Sequence, residues 1–487
     1  MNDSPAYGPA SVGNPWLDRA LRAAAVVLTV GLPALTIARA ARAWPREAHL
    51  GYAEGIWLAL ANDAARHVFY RPLQGPLGYG GTRYFPLFFL LHAGLIRVGL
   101  DPIVAGYLLA VSSVALLLVA VLIFLRMAGG SMLLCAAAAA VVLSCQPVQM
   151  AALTIRGDGL PAALTLLGLA CCLPGSRPRA APFCFALAFA AKPTSLYGVV
   201  AAVAALVATD QRPDAWRVGW QSLLGVLTVL TLIVAGSDAR AVGIFAASAT
   251  GGGNLSTLLA APVNLARVLR RVPESTFFIQ LATASLLAGI GRRIAIERLA
   301  FLVCLVTTLA IYASPATVEN HLIDLTVLAV VVATGWAARE PRWTRAVLAI
   351  VVVGGVSSAA VALWRFETED PVDLRSSRRA VVDAIVQARP PILVEHPMLA
   401  AERGESPYLL DPHNFAVRVA REPTVLNQLL SDLDQQRFGA VVLEDASLER
   451  ALADSFPGEA GERFRAALEH TYRLDAIVSG RPVYRPK

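Results

Sequence analysis

The chain has 487 residues, of which 56% are hydrophobic and only 16% charged, with a mean hydropathy of +0.57. A soluble protein of this size carries about 25% charged residues, so this balance excludes a string of soluble domains and excludes disorder equally. The apolar residues must face lipid.

The net charge of +7 is unevenly distributed. Residues 1–364 hold 26 basic and 15 acidic side chains, whereas residues 365–487 hold 16 and 20. The positive excess belongs to the apolar part, where arginines between apolar runs fix orientation. No basic stripe with interleaved aromatics is present, which argues against nucleic acid as a partner. All six cysteines lie in apolar stretches, without disulfide-framework or metal-site spacing. Of 42 basic residues only two are lysines, Lys192 and the terminal Lys487.

A crossing helix needs about 20 apolar residues. Runs of this kind lie near 20–40, 102–125, 131–150, 158–173, 217–236, 272–290, 299–313, 321–338 and 344–364. The first could also be read as a signal peptide, since Ala38-Arg39-Ala40 resembles a cleavage site; a retained span is the expectation. Residues 84–100 are apolar but short, and His92 and Arg97 interrupt them. Residues 181–208 are too long for one ordinary span, and Lys192-Pro193 sits near their middle.

Charge arbitrates between the topologies. With a cytoplasmic N-terminus, 84–100 not crossing and 181–208 a hairpin of two short spans, the cytoplasmic loops carry Arg126, Arg177, Arg179, Arg212, Arg217, Arg292, Arg293, Arg298, Arg339, Arg342 and Arg345. The short outer turns then hold little beyond Arg156 and Lys192, which is a positive-inside pattern. The expectation is an α-helical polytopic membrane protein of the cytoplasmic (inner) membrane, with about 11 transmembrane helices over 1–364 and a long first outer loop, 41–101. Residues 365–487 are expected to form a small soluble α/β domain outside the cytoplasm. In it, helical stretches (Arg378–Ala388, Thr424–Arg437, Arg463–Tyr472) alternate with strand-like runs (Ile392–Glu395, Ala440–Glu444, Asp475–Val478). No internal repeat of the kind many transporters show is visible.

Outer-side carboxylates in the membrane part reduce to Glu47, Glu54, Asp63, Asp101, Asp158, Asp238, Glu274 and Glu319. Glu54, in Gly51-Tyr52-Ala53-Glu54-Gly55-Ile56-Trp57, opens a helical run; its plain role is to complement the helix dipole, and its chemical role is a carboxylate held at the lipid surface. Asp158, in Arg156-Gly157-Asp158-Gly159, stands at a span entrance, either paired with Arg156 to anchor a turn or offered to a ligand for which the glycines leave room. Lys192 interrupts a 28-residue apolar run in a chain that otherwise uses arginine internally. It reads as a snorkelling hairpin tip or as a compact ammonium for a phosphate. His321, after Glu319-Asn320, and the cluster Arg267, Arg270 and Arg271 are further candidates for an interface or an anionic lipid. Asp324 lies one turn inside a span.

The order of these motifs resembles the GT-C superfamily of membrane glycosyltransferases, which includes protein O-mannosyltransferases and the aminoarabinose transferases of lipid A. The resemblance rests on Gly-Tyr-Ala-Glu54-Gly-Ile-Trp, Tyr84-Phe85-Pro86-Leu87 opening an apolar half-helix, Arg156-Gly157-Asp158-Gly159, Lys192-Pro193-Thr194 and Glu319-Asn320-His321. It covers residues 20–340 and leaves out the tail. It implies sugar transfer on the outer face, from a polyprenyl-phosphate-linked donor to a cell-envelope glycan, lipid or protein. Glu54 and Asp158 take the places of the family's two outer acids and Lys192 that of its hairpin lysine. Tyr84, Arg156, Asn320, His321 and Arg270 are expected to bind substrate. Some relatives need a divalent metal and others do not, so Asp158 is either an orienting group or a metal ligand. Many relatives carry Asp-Glu where this chain has Ala53-Glu54, and Tyr-Pro-Pro where it has Tyr84-Phe85-Pro86. The competing expectation is a polytopic transporter or lipid-sugar flippase, which would place ionisable groups near the bilayer midplane.

Overall fold

The computed structural model describes residues 15–248, 255–288, 295–314, 317–339, 344–368, 372–444, 456 and 458–487. Of the loop arginines counted above, Arg292, Arg293 and Arg342 lie outside these residues.

Among the described residues the apolar part is mostly helical. Its helices are α1 (Pro15–Ala43), α2 (Tyr52–Ala65), α3 (Pro86–Arg97), α4 (Pro102–Met127), α5 (Met132–Ser144), α6 (Gln146–Leu153), α7 (Gly159–Cys171), α8 (Ala181–Ala191), α9 (Tyr197–Ala208), α10 (Arg212–Gly236), α11 (Arg240–Ser248), α12 (Leu255–Leu269), α13 (Pro273–Ala288), α14 (Ile296–Ile311), α15 (Ile323–Arg339) and α16 (Thr344–Thr368). A two-residue ribbon, β1 (Gln74–Gly75) against β2 (Gly78–Tyr79), interrupts the loop between α2 and α3. Among the described residues four helices are long and apolar enough to cross a membrane, and five if the bent pair α5–α6 is one span. The remaining runs read as spans carry apolar helices of 17 residues or fewer.

Local chemistry explains the breaks. Asp101 caps α4, its Oδ1 accepting the N–H groups of Ile103 and Val104 at 3.0 Å, and Pro102 supplies the preset first turn. At Cys145 the backbone is extended and Pro147 restarts the helix, giving a 72° bend. Lys192 precedes Pro193, whose ring disfavours helical backbone at the residue before it, and Lys192 is extended (φ −159°, ψ 116°). A 3₁₀ turn then reverses the chain, and Gly198 of α9 lies against Phe185 of α8, so Lys192 sits at a hairpin tip. Both polar residues of α3 find partners: His92 Nε2 meets Pro102 O at 2.7 Å, and Arg97 donates to the carbonyls of Ala64 and Ala65 at the end of α2.

The tail builds one four-stranded sheet in the order β3 (Leu393–Val394), β4 (Val441–Val442), β6 (Arg481–Pro486), β5 (Tyr472–Val478). β3 and β4 are parallel; β4–β6 and β5–β6 are antiparallel. Its helices are α17 (Leu374–Ala384), α18 (Pro397–Glu402), α19 (Pro412–Val419), α20 (Leu426–Asp434) and α21 (Glu459–Thr471). The helix expected over Arg378–Ala388 starts four residues earlier, because the Asp373 side chain caps it at Ser376 N. β6 was not anticipated: Pro482 and Pro486 argue against a strand, yet it lies between β4 and β5.

Buried apolar residues form a large core among the long helices and a second one where α2, α3 and α10 meet Met398, Ala401 and Leu410 of the tail. α18 rests directly on α2: a Cβ at Gly55 would lie 2.5 Å from Met398 N, so glycine is what permits this approach.

Candidate active site at the helix mouths

Four of the sequence motifs meet at one place. Glu54, in the first turn of α2, is fully buried; its Oε2 accepts the N–H of Gly51 at 2.8 Å, and its Oε1 takes a short charge-assisted bond from Arg156 Nε. Two residues on, at the mouth of α7, Asp158 accepts Lys192 Nζ on Oδ1 and Asn320 Nδ2 on Oδ2, each at 3.0 Å. The hairpin tip and the 3₁₀ turn Glu319–Leu322 thus converge on one carboxylate. Arg156 and Asp158 do not pair with each other as the plainer reading held; each takes a partner from a distant segment.

The glycines around Asp158 do not leave room for a ligand. A Cβ at Gly157 would meet Phe88 at 2.9 Å and Trp57 at 3.2 Å, and one at Gly159 would meet Val114 at 3.2 Å. Their use is close packing of α7 against α2, α3 and α4, which brings Asp158 beside Glu54.

The other expected binders divide. Tyr84 packs on Trp57 with ring centroids 4.3 Å apart and stands within electrostatic reach of Arg83, Arg156, Asp158 and Asp411. Burial holds its phenol well above the usual range, so it is a neutral hydrogen-bonding group. His321 lies within electrostatic reach of Lys192, Asp158, Arg83 and Arg156, and its Nδ1 is buried with no partner, as is Asn320 Oδ1. Arg270 is elsewhere, lining a separate depression with Pro262, Val263, Ala266 and Arg267.

Several expected acids have structural occupations. Asp63 binds Arg71 Nε at 2.5 Å and Ser406 Oγ at 2.6 Å, Glu47 pairs with Arg378, and Glu274 accepts Gln146 N at 2.8 Å. Asp324 is buried and accepts Tyr197 Oη at 2.8 Å, within electrostatic reach of Lys192. Tyr197, the only tyrosine of the 181–208 run, was not singled out; its isolation there was the available signal. Asp411 was also missed: Tyr52 Oη donates to its Oδ1 at 2.9 Å, tying the tail to the first residue of α2.

The cation at Asp158 is the lysine ammonium. Both carboxylate oxygens are already engaged, and among the described residues no three His, Cys, Asp or Glu side chains converge to hold a metal ion. The donor set therefore does not fit a divalent metal at Asp158.

No protein-family profile and no curated protein matches the chain. Solved structures do. ArnT from Cupriavidus metallidurans bound to undecaprenyl phosphate aligns with a TM-score of 0.55 at 14% identity, over 97% of this chain and 98% of that one. The apo state of the same protein aligns at 0.53 and 15%, over 88% and 92%. The Archaeoglobus fulgidus oligosaccharyltransferase tethered with an acceptor peptide aligns at 0.52 and 11%, over 95% of this chain and 72% of that one. These likenesses show the fold, one shared with the ArnT and oligosaccharyltransferase structures, and the alignment with ArnT covers nearly the whole chain.

Proposed function

We propose that this chain transfers a sugar from a polyprenyl-phosphate-linked donor to an acceptor hydroxyl on the outer face of the cytoplasmic membrane. In this reading the apolar part crosses the membrane eleven times, and the tail lies outside the cytoplasm. The observation that carries the proposal is the adjacency of two charge pairs, Glu54–Arg156 and Asp158–Lys192, set two residues apart along the chain at the mouth of α7. Two cations and two carboxylates side by side match what this reaction needs. A lipid phosphate is a good leaving group, so the enzyme supplies one base and cations to meet the charge that develops on the departing phosphate. One neighbour of the same fold carries undecaprenyl phosphate, which supports a donor of this chemistry.

The balance of bonds is simple. The acceptor oxygen forms a bond to the anomeric carbon, the bond from that carbon to the phosphate oxygen breaks, and the acceptor proton passes to Glu54. At rest Glu54 is occupied by Gly51 N–H and by Arg156. A phosphate drawing Arg156 toward itself frees Oε1 to accept that proton, so donor binding arms the base. Asp158, with Asn320, holds the Lys192 ammonium at the hairpin tip, where it faces the leaving phosphate as a compact charge. Tyr84, held neutral by burial, and His321, with its Nδ1 open, are the partners for the sugar hydroxyls.

The test is sugar transfer by the purified protein from a labelled polyprenyl-phosphate sugar, comparing wild type with Glu54→Gln. A loss of about a hundredfold or more is expected, in the range of one general base. Full activity in the variant removes Glu54 from the mechanism, and lipid-sugar translocation without transfer replaces the enzyme with a flippase.

A further inference from the structure

A second cleft, of about 990 Å³, opens beside α2, between the end of α1, the start of α4 and α17 of the tail. Pockets of this size take small molecules or lipid heads. Its two halves differ in chemistry. One wall is the stripe Val104, Leu108 and Val111 of α4, spaced three and four apart and so on one helix face. Val104 and Leu108 are more than half exposed, so the wall runs without a break into the helix surface that faces lipid.

The other half is charged, with both signs present. Glu47 and Glu402 are neutralised by Arg378, which is buried between them, and the half-exposed Arg375 on the same wall stands 3.6 Å from Glu47. Arg379 and Asp383 stand one helical turn apart on exposed positions of α17 and make no ion pair among the described residues, although opposite charges at that spacing can reach each other. Asp101 caps α4 through Oδ1 alone. Between the halves, Trp44 lies against Tyr107 with ring centroids 5.1 Å apart, and the indole N–H and phenol O–H are both buried without a protein partner. An unmade hydrogen bond at a buried group is costly, and these two lie just behind the wall of the cleft.

We infer that this cleft seats one phospholipid with a zwitterionic head group: phosphate toward Arg379, ammonium toward Asp383 and Asp101, acyl chain along Val104, Leu108 and Val111. A purely anionic head would leave the two free carboxylates facing it, and a cationic amphiphile would face Arg379. The site is distinct from the Asp158–Lys192 cluster and does not depend on the sugar-transfer reading, although Leu58 on its wall lies one turn beyond Glu54 on α2.

The experiment offers the purified full-length protein equal amounts of phosphatidylethanolamine and phosphatidylglycerol of distinguishable mass, and native mass spectrometry counts what is retained. One phosphatidylethanolamine is expected, in preference to phosphatidylglycerol. Arg379→Glu, an exposed position without an ion pair, should reduce retention roughly tenfold, the value of one charge-assisted contact. Leu108→Trp, which fills the apolar half, should do the same. Equal retention of both lipids overturns the proposal, as does retention unchanged in the two variants. Displacement of the lipid by soluble phosphoethanolamine at the same concentration also overturns it, because the apolar half would then contribute nothing.

Discussion

Two buried charge clusters lie close together in this molecule and are finished differently. At the junction of tail and first loop, Arg378 is almost fully enclosed, and its three nitrogens are all used: Nε on Glu402 at 2.5 Å, Nη1 on the carbonyl of Leu50 at 3.0 Å, and Nη2 on Glu47. At the helix mouths the cations are less enclosed, with 23% of the Arg156 side chain and 16% of Lys192 still accessible, and Asn320 Oδ1 and His321 Nδ1 have no partner. A saturated cluster has no capacity left for a ligand and serves as a clamp. An unsaturated one in the same dielectric is costly unless something else completes it, and functional sites are where proteins keep such costs.

The comparison can be broken by exchanging the consequences. The largest expected effect is Arg378→Met, which takes from Glu402 its ion-pair partner and leaves the buried Glu47 only the half-exposed Arg375, and should destabilise the protein by about 3–5 kcal/mol. The measurement is thermal inactivation in detergent, and a melting temperature like that of wild type would mean that the clamp holds nothing.

Next is Lys192→Met. Turnover should fall by about 10²–10³, the scale of one preorganised group stabilising transition-state charge. The melting temperature should move less than in Arg378→Met, because Asp158 keeps Asn320. Equal loss of stability in the two variants would erase the distinction between clamp and site.

The smallest effect concerns pH. His396 packs edge-on to Tyr52 and is buried beside the clamp, and burial pushes its imidazole down to about 4. Its unfolded value is about 6.5, so between these values the unfolded chain binds the extra proton and stability falls as pH drops. The contribution is fully present above about 6.5 and lost toward 4, at most about 3 kcal/mol over the window. His413, also lowered by burial, acts in the same direction. Melting wild type and His396→Gln across this range should show the shallower slope in the variant.

Much of the site was legible as separate residues. Glu54, Asp158 and Lys192 stood out because carboxylates are scarce in an apolar chain and internal lysine occurs once, and Asn320 and His321 because they open a late span. Their partners were not legible. Arg156 lies two residues from Asp158 and yet binds Glu54, a choice made by how closely Gly157 and Gly159 let α7 approach its neighbours. Arg270 has the same composition-level signal as Arg156 and sits elsewhere, because nothing in a run of arginines records which helix face it occupies. The tail's role was the least visible. Asp411, Met398 and Arg378 reach the first loop only after some 300 residues of intervening chain.

The sequence by itself determined the solvent, the helical class and a short set of candidate residues, since hydropathy, charge distribution and proline breaks are local properties. The tertiary structure alone decided which charges meet, which carboxylates become clamps, and which polar atoms stay open. Those are questions of distance and burial between segments far apart in the chain, and they separate a site from a strut built of the same residues.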